Sequence, residues 1–330
     1  MAAPAHFDAF AYAKRVETAM RRATPPVFRQ TVVQTLLTMG CSRLLWKLYQ
    51  RFVLKRDLRT LTREEIAEQG QVWKSISPYV TGGYRETTHS FCFCLCSCGC
   101  GHNECCNIWS HFFAALYYYN SYRGHNPKYP SRTVALAGFC LFGTSTIAHS
   151  FGAYSKEVEC FLFRCDRASI AAYFWAFSLV GGRQHFGSRG ETRLLQIYNV
   201  YTSIVGAGAV TAVFFGDYLS KMSKVLTLTT ASTCLMIPVV REFFLATGPG
   251  AAFKRGLVWK HLPLATFLGG LGGISFALYL PERFCSALGL PDDFFDYFHS
   301  HSLMHVIVFL AAYWGYTGQS RWDAINSVEL

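Results

Sequence analysis

Charge is what this sequence has least of. Asp, Glu, Lys and Arg make up 15% of its 330 residues, against about 25% in an ordinary soluble domain. Acids are the scarcer sign, 20 Asp and Glu against 31 Lys and Arg, for a formal net charge of +11. So little charge, with acids in deficit, excludes a disordered chain and an acidic solvating protein. The length excludes a small disulfide-stapled scaffold. There is no Rossmann fingerprint and no P-loop, so nothing announces a nucleotide. No paired C-x₂-C knuckles mark a zinc ribbon, and there is no nucleic-acid-binding motif. Residues 1–88 contain no apolar h-region with a cleavage site, so no secretory signal peptide is expected.

What remains is apolar: 51% of the residues are hydrophobic and 16% aromatic. The scarce charge is also uneven. Residues 1–88 hold 14 of the 31 basic and 7 of the 20 acidic residues, so the rest of the chain is charged at about half that density. Three regions follow: a basic N-terminal region over 1–88, an apolar bundle over 89–318, and a short tail over 319–330. Crossing a hydrocarbon core of roughly 30 Å takes about 20 mostly apolar residues. Seven such stretches run near 103–122, 133–154, 161–181, 195–215, 225–246, 260–280 and 298–318. Turn-forming residues fill the gaps, as at Asn126-Pro127, Gly181-Gly182-Arg183, Gly216-Asp217 and Thr247-Gly248-Pro249-Gly250. Tyr117, Trp175, Trp259 and Trp314 stand near ends, as interface aromatics do. The pattern predicts an all-α membrane protein built as a seven-transmembrane helix bundle.

The N-terminal region has its own signals. Residues 28–60 read as a basic amphipathic helix, which suits an anionic membrane surface or the ends of the bundle equally. Thr62-Arg63-Glu64-Glu65 has the spacing of a capping box and predicts a short helix. Loop charge does not orient the bundle in the usual way. With a cytosolic N-terminus, six basic loop residues fall on its side and eleven on the other, against the positive-inside rule.

Ionisable residues inside membrane spans are costly and are functional candidates by default. Four stand out: His149 near the end of span two, Asp166 near the start of span three, and His301 and His305 near the start of span seven. The end of an even span and the start of an odd span face the N-terminal side, so all four sit at one depth. His301 and His305, four residues apart, project from one helix face. With His149 they offer three neutral imidazoles, and three protein ligands with an open fourth position is the pattern of a catalytic zinc site. Ser145, one turn before His149, is placed to orient a water or a carbonyl. Asp166 is placed as a proton shuttle or as a support for a ligand. The neighbouring His299 reads as a histidine that bonds a loop carbonyl.

Several runs together resemble the progestin and adipoQ receptor family, with alkaline ceramidases as more distant relatives. They are His102-Asn103-Glu104, Asn107-Ile108-Trp109-Ser110-His111, Ser145-Thr146-Ile147-Ala148-His149, Asp166 seventeen residues later, Pro281-Glu282-Arg283, and Ser300-His301-Ser302-Leu303-Met304-His305-Val306. The resemblance covers roughly 80–318. It implies an adiponectin-receptor type of seven-helix fold with a cytosolic N-terminus, and a zinc held by His149, His301 and His305 near the cytosolic face. It further implies a multi-pass integral membrane protein, of the plasma membrane or an endomembrane. The implied function is signalling in response to a lipid, sphingolipid, steroid or secreted protein ligand. The alternatives are zinc-dependent hydrolysis of a lipid amide such as ceramide, with Ser145 and Asp166 as catalytic residues, and a scaffold in which zinc only locks helices. Gly83-Tyr84-Arg85 looks like the membrane progestin receptor branch. Ser302 stands where the family usually has Gln, and Arg167 follows Asp166 where it tends to have an aromatic residue.

Two features lie outside this pattern. Seven of the 13 cysteines fall between Cys92 and Cys106, and Cys92, Cys94, Cys96, Cys98 and Cys100 strictly alternate. S-acylation, small apolar filler and soft-metal binding remain open for them. Gly269, Gly270, Gly272 and Gly273, with Gly206 and Gly208, read as close helix packing. Asn103 and Glu104 read as support for the start of the first span.

Overall fold

The computed structural model describes residues 59–74, 77–216 and 251–329, with isolated positions elsewhere. The expected amphipathic helix over 28–60 and the fifth expected span, 225–246, lie almost wholly outside the described residues.

A small folded segment precedes the bundle. Strand β1 (Thr60–Leu61) pairs antiparallel with β2 (Tyr84–Arg85), with Thr60 opposite Arg85. Helix α1 (Arg63–Glu68) starts at the expected capping box. Thr62 Oγ1 accepts from the Glu65 amide at 3.2 Å, and the Glu65 carboxylate accepts from the Thr62 amide at 2.8 Å. Gly83 sits in the left-handed region at φ 80°, and a Cβ there would press on the Asn103 amide at 3.1 Å. Only glycine meets both demands. Helix α2 (Phe91–Ser97) follows, capped by Ser90.

Among the described residues six long helices make the bundle: α3 (Cys105–Gly124), α4 (Ser131–Phe151), α5 (Lys156–His185), α6 (Thr192–Phe215), α7 (Ala251–Ala277) and α8 (Ser300–Glu329). Each coincides with an expected span, and three outrun theirs, α7 by starting at Ala251, nine residues early. α5 begins five residues early because Ser155 caps it and Glu157 and Glu159 suit its positive N-terminal end. α8 runs on through 319–329 because that stretch is amphipathic and buried, with Trp322, Ala324 and Ile325 in the core.

Neighbours in sequence pack as neighbours in space: α3 with α4, α4 with α5, α5 with α6, α7 with α8. The last helix also touches α3, α4 and α5, so α8 is the member against which the others are arranged. The core between them is aromatic, with Tyr117, Tyr118, Phe142, Tyr173, Phe309, Tyr313 and Tyr316 in one cluster. Tyr118 stacks on Phe142 at 5.4 Å between ring centroids. It fits because Gly138 on α4 has no Cβ, which would meet the ring at 2.4 Å. The glycine-packing expectation holds in part. Gly272 lies against Ile307 and Val308, and Gly206 against Trp175, while Gly269, Gly270 and Gly208 face open space.

Polar clamps close both ends. At one end the Asp323 carboxylate accepts from the Ser131 amide at 2.9 Å and from Gln184 Nε2 at 2.7 Å, joining α4, α5 and α8. At the other, the buried Glu282 carboxylate accepts from the Ser300 amide at 2.7 Å and from Ser300 Oγ at 2.6 Å. That satisfies donors the first turn of α8 leaves open. Asp296 accepts from the amide and hydroxyl of Thr81, tying the approach to α8 onto the N-terminal segment. Burial raises the Asp296 carboxyl above its ordinary range despite these bonds.

The outward faces are apolar. On α6, Leu194, Ile197, Tyr201 and Ile204 recur at helical spacing and are all exposed, as helices bordered by lipid require. Among the described residues, α4 and α6 are long and apolar enough to cross a membrane by hydropathy alone. α5 and α8 are longer, but polar residues such as Asp166, Gln184, His301 and Asp323 lower their mean hydropathy.

Removing the Glu282 carboxylate leaves a buried amide and hydroxyl without acceptors. Glu282→Ala should therefore lower stability by about 1–3 kcal/mol. This would be read as an earlier thermal transition of the detergent-purified protein, with Glu282→Gln less affected. An unchanged transition would remove Glu282 as the anchor of α8.

Candidate metal centre

His149 lies on the last turn of α4, and His301 and His305 on the first two turns of α8. The fold brings them together: one ligand nitrogen from each lies within 4.8 Å of the others. Their ring centroids form a near-regular triangle with sides of 5.0, 4.7 and 4.8 Å. His149 and His305 are buried and His301 is half-buried. Among the described residues this is the one group of three or more His, Cys, Asp or Glu arranged to hold a metal.

The donor atoms fit a divalent transition ion. His149 Nδ1 meets Glu104 Oε2 at 2.5 Å. With Nδ1 donating to the carboxylate, the Nε2 lone pair faces inward, and that nitrogen is buried with no partner. A histidine whose second nitrogen is held by a carboxylate is the usual support for a metal ligand, fixing both tautomer and ring orientation. His305 Nδ1 is likewise buried and unpartnered. The rings are held from outside. His111 stacks on His305 at 3.7 Å and directs Nε2 to the His305 carbonyl at 3.3 Å. Phe163 edges onto His149 at 4.9 Å, and Phe276 lies 4.9 Å from His301.

Ser145 and Asp166 are both buried. Asp166 lies within electrostatic reach of His149, Arg167 and Glu104 and beside Ser145, so it neighbours the His149 side of the cluster. His299 stays apart from the triad and bonds the Asn103 carbonyl through Nε2 at 3.1 Å, as expected of it.

Glu104 is the larger finding. It does stand at the head of α3, as expected, and it accepts from Asn107 Nδ2 at 2.6 Å. Its other task, holding His149, was missed. The depth rule applied to acids would have found it, since the start of span one faces the same side as the end of span two. No such rule reaches His111, which lies deeper and is placed by helix packing alone.

The N-terminal segment also enters the site. Arg85 is buried. Its guanidinium donates to the carbonyls of His149 and Ser150 and to Ser97 Oγ. A cation on the last carbonyls of α4 suits the negative end of that helix and fixes the backbone that carries His149. Lys74 donates in turn to the Arg85 carbonyl, and burial pushes its ammonium down to about 8. A cleft lined by Lys74, Arg85, Glu104, Glu159 and Phe163 leads to His149.

Taken together, a mostly helical chain with lipid-facing exteriors and a three-histidine cluster at one end of the bundle defines a helical membrane protein with a candidate metal centre. Comparison with known proteins gives the family. Residues 101–316 match the model of the haemolysin-III-related family, and the chain belongs to that family of membrane proteins, which takes in the progestin and adipoQ receptors. It is 22% identical over 253 residues to the membrane progestin receptor alpha of Homo sapiens, covering 72% of this chain and 70% of that one. It is 25% identical to the progestin and adipoQ receptor-like protein 1 of Caenorhabditis elegans, covering 76% and 58%. An uncharacterised Schizosaccharomyces pombe protein is 27% identical over 280 residues, and the match spans 80% of this chain but 60% of the yeast protein.

If Glu104 orients His149 for a metal, Glu104→Gln should weaken the affinity of the purified protein for Zn²⁺ or Co²⁺ about 10–100-fold. Competition with a chromophoric chelator reads this directly. Equal affinities in the two proteins would reduce Glu104 to a helix support.

Proposed function

We propose that this protein is a multi-pass membrane receptor whose seven helices cross the bilayer with the N-terminus in the cytosol. It would carry a zinc ion between His149, His301 and His305 and respond to a lipid or steroid ligand. The observation that carries the reading is the triangle of imidazoles, two of them buried, with the carboxylate of Glu104 behind His149. Three neutral nitrogen donors suit zinc better than calcium or magnesium, which take oxygen ligands. The family resemblance supports the receptor role, and relatives named as membrane progestin receptors support a steroid among the candidate ligands. The plasma membrane is the proposed location.

In this reading α8 is the responsive element. It supplies two of the three ligands, its N-terminus is tied to Glu282, and it packs on α3, α4, α5 and α7. A ligand that shifts α8 against α4 would alter the triangle and the segment held by Arg85 together.

A second reading has its own support. Ser145 and Asp166 stand beside the cluster, and a hydrolase needs both a proton carrier and a group for the developing oxyanion. Zinc would supply polarisation of an amide carbonyl and a water acidified to a pKa of about 7. Asp166 would accept and return the proton, Ser145 Oγ would donate to the carbonyl oxygen, and the lipid-facing exterior would admit an amide such as ceramide.

The purified protein should contain about one zinc per chain, as a tetrahedral three-histidine site holds a single ion. The double substitution His301→Ala with His305→Ala should remove it. Metal-free wild-type protein would sink the metal centre. Saturable progestin binding that survives chelation of the metal would favour the receptor alone. Release of sphingosine and fatty acid from ceramide, abolished by Asp166→Asn, would favour hydrolysis, and undiminished release in that variant would remove Asp166 from the chemistry.

A further inference from the structure

The alternating cysteines are absorbed by none of this, and the fold divides them. In a helix a step of two residues turns about 200°, so successive cysteines of α2 face opposite ways. Cys94 is buried, while Cys92 and Cys96 are exposed. These two are four residues apart and share one face. Beside them stand Phe91 and Leu95, 59% and 50% exposed. Two large apolar side chains and two thiols on one face of a seven-residue helix are suited to lipid rather than to water.

The position of α2 supports that setting. Its Phe91 ring stacks on Phe151, at the end of α4, at 4.8 Å. Arg85 joins Ser97 Oγ to the Ser150 carbonyl. The helix therefore lies at the bundle end, level with the last turn of α4. From Phe151, steps of four residues lead back along one face of α4 through Ile147 and Gly143 to Phe139. Ile147 and Phe139 are exposed, and the space beside Gly143 is open. An apolar lane thus runs from α2 down the outside of the bundle.

We propose that Cys92 and Cys96 are S-acylated, each carrying a long-chain fatty acyl group that lies along this lane. The reaction is an exchange of thioesters. The cysteine thiolate attacks the carbonyl carbon of an acyl thioester, its S–C bond forms as the carrier's S–C bond breaks, and the carrier thiol leaves with the proton given up by the cysteine. Nothing is oxidised. The modification does not depend on the metal centre. It requires that the α2 end face the compartment that holds acyl thioesters and keeps thiols reduced.

The test uses the full-length protein expressed in cultured eukaryotic cells and fed an alkynyl palmitate analogue. The wild type should carry label that neutral hydroxylamine removes. Cys92→Ser with Cys96→Ser should lower it to background, each single change should lower it in part, and zinc content should stay at the wild-type level. Cys140→Ser, exposed but midway along α4, should leave the label unchanged. Absence of hydroxylamine-sensitive label from the wild type, or its persistence in the double variant, would overturn the proposal.

Discussion

A half-buried carboxylate against a buried imidazole governs this structure. Glu104 and His149 meet at 2.5 Å, with the imidazole fully buried and the carboxylate at the inner end of the cleft. Neither would be tolerated there alone, because an unpaired charge or polar group in an apolar interior is expensive. Their contact fixes the head of α3 to the end of α4 and sets which nitrogen of His149 faces inward. The same inward nitrogen, with no partner of its own, gives the three-histidine cluster its capacity for a metal. The neighbouring devices serve that placement: Arg85 on the carbonyls at the end of α4, Glu282 on the first turn of α8, and His111 stacked on His305.

The molecule separates two requirements that compete in a helix bundle. Between its ends, packing is aromatic and needs no polar partner, with Tyr117, Tyr118, Phe142 and Phe309 filling the interior. At the ends, polar groups are buried and must be satisfied. One end does this with the Asp323 carboxylate, which accepts from the Ser131 amide and from Gln184 Nε2. The other leaves His149 Nε2 and His305 Nδ1 unpartnered. The first arrangement is a clamp and the second is a site, and the difference lies in the convergence of the three imidazoles rather than in composition. The 59–104 segment belongs to the second end. Its strand pair, α1 and α2 form a cap whose buried members reach the ligand-bearing turn.

Much of this was legible beforehand, for identifiable reasons. Six described helices coincide with apolar stretches because a span must be long and continuously apolar. The capping box at Thr62 and Glu65 was legible because its parts are three residues apart. The histidines and Asp166 were legible because span parity reports depth. Other features were hidden. The reach of α5 and α8 beyond their spans depends on caps and on polar faces that hydropathy averages away. The pairing of Glu104 with His149 crosses 45 residues and that of His111 with His305 crosses 194. The glycine run of α7 looked uniform, yet only some of its members meet a neighbour.

Sequence alone therefore determined the helical class, the family and the identity of the three candidate ligands. The class follows from patterns that span length imposes, the ligands from local spacing, and the family from the resemblance of several motifs taken together. Tertiary structure decided which nitrogen is free, which carboxylate holds it, and which cysteines face outward. Those outcomes depend on the rotation of each helix about its own axis and on contacts between residues distant in the chain. Packing sets both, and periodicity within a single helix does not encode them.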